Sequence, residues 1–206
     1  MQLINSLLSR VTMYWLMMYF LILLVAVAAV ESFFGILPYN PVDILAEAIY
    51  LAAICWFVNK IPAIVFKAKT NPESAIITGL ILSLIIGPTP LLSNWIMLTG
   101  AGAVAMVSKY VIAWRKRHIF NPAAFGALAV ALLLGQGASW WIGSIQTFPF
   151  VLLGGLLVLK KTRRFEMAGI FLLTYLLINF PTVLNIILHS PILFFSIVML
   201  IEPLTS

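Results

Sequence analysis

The chain has 206 residues, 63% of them hydrophobic and only 9% charged, with a mean hydropathy of +1.12. Soluble domains carry about a quarter of charged residues, so a water-soluble enzyme is excluded and residues 1–206 read as a single integral membrane domain. The net charge of +6 does not imply nucleic acid, because the cations sit in short connections between apolar runs, where they report topology.

In chain order, the apolar stretches predict spans at about residues 13 to 34, 42 to 59, 74 to 87, 94 to 113, 121 to 135, 146 to 159, 165 to 180 and 187 to 202. The first follows Arg10 and contains Ala-Val-Ala, like a secretory signal, but it is too long for one and further spans follow it. Asn40-Pro41, Asn71-Pro72 and Asn121-Pro122 mark helix starts, with Ser190-Pro191 as a variant: Asn caps free amides and Pro is pre-shaped for the first helical position. Asp43 and Glu73 then fall in first turns, where the helix dipole favours them. The segment from Ser74 to Gly87 is short and closed by Pro88-Thr89-Pro90, and the last apolar segment runs from Ser190-Pro191 to Glu202-Pro203. Such proline-bounded segments predict broken helices, and two readings stand side by side: an inverted repeat around a central site, or chance likeness between two apolar segments. The expected fold class is all-α, a polytopic membrane protein of about eight helices with two proline-broken elements.

The cations are Arg10; Lys60, Lys67 and Lys69; Lys109, Arg115, Lys116 and Arg117; and Lys160, Lys161, Arg163 and Arg164. Taken with the spans, these clusters fall on one side, while the connections 35–41, 88–93, 136–145 and 181–186 carry none. The positive-inside rule makes the cationic side cytoplasmic, with both termini there.

Cys55 is the single cysteine, which excludes an internal disulfide, an iron-sulfur cluster and a cysteine zinc site. His118 and His189 are expected at opposite faces, so they do not share a haem or metal. No phosphate loop, dinucleotide fingerprint or nucleophile with its base is visible, and no catalytic residue is assigned. A redox cofactor here would have to be organic, a flavin or a quinone. Glu47, two turns into the second span, is either an intramembrane functional carboxylate or a residue reaching interfacial water. Glu202 either lines a site or ends a helix. Trp140-Trp141 and Trp95 read as an interface belt, with stacking on an isoalloxazine ring as the other reading. The helix starts at Asn71 and Asn121, beside Lys67, Lys69 and Arg115 to Arg117, fit either an anion or phosphate site or simple capping plus topology.

Four segments, ESAIITGLILSLIIGPTP, IFNPAAFG, WWIGS with FPFVLLGGLLVLKKTRRFE, and FFSIVMLIEPLTS, occur in that order from about Glu73 onward. Together they resemble the D-type membrane subunit of Rnf electron-transport complexes and the B-type membrane subunit of the sodium-translocating NADH:quinone reductase. The resemblance implies a urea-transporter-like fold with broken helices, in the inner membrane, and a flavin-carrying role in a redox complex. It implies Thr78, Gly79, Asn121, Phe125, Gly126, Glu202 and Thr205 as cofactor-binding residues. Many members esterify FMN to a Thr in a Ser-Gly-Ala-Thr motif after the FNPA helix; this chain has GQGASWWIGS there and no such motif. Non-covalent FMN or riboflavin is therefore expected, or a quinone. The chain also resembles shorter relatives whose membrane block precedes a ferredoxin-NADP reductase-like module binding FAD and NAD(P), which implies a continuation past Ser206 or a separate redox partner. The rival expectations are a solute channel and a cofactor-free membrane anchor for a reductase.

Overall fold

The computed structural model describes residues 11–68, 71–114, 117–135, 138–179 and 191–201. Helices α1 (Met13–Phe33), α2 (Pro41–Val65), α3 (Pro72–Ile85) and α4 (Leu91–Val111) are followed by a two-stranded antiparallel hairpin, β1 (Ala113–Trp114) with β2 (Arg117–His118). Then come α5 (Pro122–Leu134), α6 (Phe148–Thr162), α7 (Phe165–Ile178) and the short α8 (Ile192–Phe194), which runs straight into a π-helical turn at Phe195–Met199. The molecule is a helical membrane protein with two proline-started broken elements.

The helical class and the approximate helix count agree with expectation, but the lengths are not those of eight full crossings. Among the described residues only α1, α2 and α4, of 21, 25 and 21 residues, are long and apolar enough to cross a bilayer. Helices α3, α5, α6 and α7 have 13 to 15 residues. At 1.5 Å per residue that is roughly 21 Å, short of a hydrocarbon core of about 30 Å. The stops are local: Gly135 takes a left-handed conformation (φ 67°) after α5, and Pro88 and Pro90 follow α3. In contrast, α2 runs past the expected stop at residue 59. Pro62 sits inside its last turns, and Lys60 Nζ lies 3.4 Å from the centre of the Trp56 ring, so the cation is held against an aromatic face within the helix.

Helix α3 is apolar all round and buried from Ile77 to Ile85, as a central helix must be. Its neighbours are α1, α2, α4 and α5. The backbones come closest where glycine removes a side chain. A Cβ on Gly79 would lie 2.6 Å from Ala52 Cα on α2, and one on Gly126 would lie 2.5 Å from the Ala101 carbonyl oxygen on α4. On α6, Gly154 and Gly155 instead make room for the side chains of Phe20 and Ile197. The second broken element is also interior: Leu193, Phe194, Ser196 to Met199 and Ile201 are all buried.

Hydrogen bonds set the helix directions. Tyr50 with Thr99 (2.6 Å) and Tyr110 Oη donating to Asn59 Oδ1 (2.7 Å) make α2 and α4 parallel. Lys109 Nζ donates to Ser74 Oγ (2.6 Å), so α3 runs against α4. One end of this group, the cationic end, therefore holds Lys67, Lys109 and the start of α3; the opposite end holds the starts of α2 and α4 and the end of α3.

Candidate functional site

At the cationic end the Asn-Pro steps act as caps. Asn71 Oδ1 accepts from the Ser74 amide (3.2 Å) and Asn121 Oδ1 from the Ala124 amide (3.1 Å), each satisfying a donor that the first helical turn leaves free. Thr78 Oγ1 donates to the Ser74 carbonyl (2.9 Å), and Ser74 Oγ takes the Lys109 ammonium. Thr78 and Gly79 thus lie on the buried α3, one bonded within its own helix and the other turned onto α2.

Asn121, Phe125 and Gly126 fall together, Asn121 capping α5 and the other two within it. Asn121 Nδ2 donates to the Met199 carbonyl (3.3 Å), which joins the FNPAAFG segment to FFSIVML across 78 residues. The π-helical turn replaces the usual ladder there: the Leu200 amide bonds back to Phe195 O (2.9 Å). Phe125 is stacked on Phe120, with ring centres 6.2 Å apart and planes 26° from parallel. It also closes one wall of an apolar groove of about 330 Å³, whose other wall is Ala103, Val104, Val107, Ser108, Val111 and Ile112 along α4 and its end. Gly126 points the other way, onto α4 at Ala101 and Ala105. The structure therefore gathers Asn121, Phe125 and Gly126 but leaves Thr78 and Gly79 on another helix. Glu202 and Thr205 lie outside the described residues, as does His189.

His118, in the hairpin beside this end, is buried and its Nδ1 has no hydrogen-bond partner. Burial pushes its pKa down to about 4, and the charge of Lys109 adds to that. The imidazole is neutral at physiological pH.

At the opposite end, the reading as an interface belt is corrected for Trp141, while Trp140 is half-buried. Trp141 is buried, and its Nε1–H donates to the Ser83 carbonyl (2.9 Å); the Trp140 amide donates to the Ile85 carbonyl (2.9 Å). These tryptophans cap the last carbonyls of α3, which a broken helix leaves without partners. Trp95 remains exposed, as a belt residue would be. At the same end, Glu47 Oε2 accepts from the Thr89 amide (3.1 Å). Sequence reasoning singled out Glu47 but missed Thr89 and Ser74, although Pro88-Thr89-Pro90 flagged an irregular backbone next to a span.

Among the described residues no group of three or more His, Cys, Asp or Glu is placed to hold a metal. Comparison of the chain with family models, with curated proteins and with solved structures gives no match.

Proposed function

We propose that the chain is a membrane electron-transfer subunit that holds a flavin non-covalently, FMN or riboflavin, or a quinone. The ring would lie in the groove between α4 and α5, within an NAD(P)H- or ferredoxin-linked membrane redox complex. The observation that carries this reading is the FNPAAFG segment, the most specific piece of the resemblance to the D-type membrane subunit of Rnf complexes. Its Phe125 stands at the wall of an apolar groove, stacked on Phe120, and its Asn121 is tied to the second matched segment at Met199. A groove of about 330 Å³ with aliphatic and aromatic walls suits a planar ring, which such surfaces bind by dispersion and stacking. By the positive-inside rule the cationic end faces the cytoplasm of a cell with this chain in its inner membrane. A soluble donor, or a FAD- and NAD(P)-binding reductase module, would meet the groove from that side.

The test is direct. Protein purified in mild detergent is assayed for the blue-region absorbance of oxidised flavin, and denatured to release the chromophore; flavin-free protein is titrated with FMN, riboflavin and a short-chain quinone. Bound flavin, or saturable uptake of one of the three, is the expected outcome. A colourless preparation that takes up none of them overturns the reading and leaves the solute channel, tested by liposome flux, or the anchor, tested by co-purification with a flavoprotein.

A further inference from the structure

We propose that the Glu47 carboxyl, with the Thr89 hydroxyl beside it, is a proton-binding site reached from the end of the molecule opposite the cations. Glu47 is 1% exposed and lies in the second turn of α2, counting from Pro41. Its Oε2 is satisfied by the Thr89 amide, but its Oε1 is buried with no partner, and the Thr89 hydroxyl, which sits beside the same carboxyl, is also buried and unpartnered.

Nothing at this end supplies a counter-charge among the described residues. On α2 itself the near charge is Asp43, one turn away and of the same sign; α1 brings Glu31 to this end; the end halves of α3 and α4 bring no charged residue. Lys60 and Lys109 stand at the cationic end. A carboxylate buried without a counter-ion costs several kcal/mol. A proton on Oε1 removes that charge and turns an orphan acceptor into a donor, with the orphan Thr89 oxygen next to it. One proton therefore resolves both unsatisfied atoms. A metal ion fits worse, because hard cations take about six oxygen ligands and the Glu47–Thr89 pair leaves two oxygens without a partner, Glu47 Oε1 and Thr89 Oγ1.

Exchange with solvent has a short path. Thr89, whose amide bonds the carboxyl, is half-buried, and the next residue, Pro90, is exposed. The step is a simple transfer: Oε1 of the carboxylate takes a proton from hydronium, an O–H bond forms, and water is released, with no change of oxidation state.

Infrared difference spectroscopy of the purified protein near neutral pH tests this. The expected result is the C=O stretch of a protonated carboxylic acid, shifted in heavy water, lost in Glu47→Gln and retained in Asp43→Asn and Glu31→Gln. Thr89→Val should keep the band but move it to higher frequency, as a hydrogen bond to the acid is lost. Melting in detergent checks that Glu47→Gln is folded, and Gln is isosteric with the protonated acid. The proposal is overturned by a band that persists in folded Glu47→Gln, by no such band in the unsubstituted protein, or by its disappearance on adding sodium chloride, which would make the ligand a metal cation. None of these outcomes depends on whether flavin or quinone binds.

Discussion

Gly126 shows how one residue type can serve packing where a motif suggests a ligand. A methyl group there would sit 2.5 Å from the Ala101 carbonyl oxygen and 2.9 Å from Ala105 Cβ, so Gly126→Ala must push α5 away from α4. The expected cost is about 1–3 kcal/mol, read as a lower melting temperature in detergent whether or not a cofactor is present. Gly169→Ala is the control: nothing lies within 4 Å of its Cβ position in α7, and removing a helical glycine should stabilise by up to about 1 kcal/mol. His118 carries a pH dependence with a definite sign. The free imidazole titrates near 6.5 and the folded one at about 4, so between those values the unfolded chain holds a proton that the fold does not. Stability is therefore expected to fall, by about 1–3 kcal/mol, as pH drops through that window, and to level off below it. Melting temperatures at stepped pH should show this, and His118→Gln should flatten the change; an unchanged slope in that variant would remove His118 as its cause.

Among the elements, the starts of α2, α3 and α5 were legible in sequence because capping is local: Asn and Pro at fixed positions satisfy the first turn whatever packs around it. Ends were less so. The expected stop at residue 59 failed: the structure lays the Lys60 ammonium on Trp56 and carries the helix on through Pro62 in its closing turns. The burial of Trp141 was invisible because its partner, the Ser83 carbonyl, is 58 residues away and is free only because α3 breaks. The same distinction between local and distant partners separates two of the caps. Asn71→Ala loses one capping bond, a cost of about 1 kcal/mol. Asn121→Ala loses its cap and also the bond to Met199, and is expected to cost about 2 kcal/mol. Equal melting shifts for the two variants would show that the link between α5 and the π-helical turn contributes nothing.

For the whole molecule, composition was enough for the class: a chain with this hydropathy and these few charges has to bury its surface in lipid or in itself. Composition could not say which helices reach full crossing length, since that depends on where Gly135 and the Pro88-Pro90 step halt the shorter ones. Orientation is a separate matter, and the structure offers two positions that test it. Lys67 follows α2 and Ser93 lies in the first turn of α4; both are exposed. Because α2 and α4 run parallel, and α2 at 25 residues is roughly 37 Å long, the two positions stand at opposite ends of the helix group. The native thiol, Cys55, is fully buried, so it should stay silent toward a membrane-impermeant maleimide. In intact cells stripped of any outer barrier, Ser93→Cys is expected to label at once, and Lys67→Cys only after the membrane is permeabilised. The reverse pattern would invert the topology and defeat the positive-inside argument. Labelling of both from outside would mean that α2 and α4 do not traverse the bilayer.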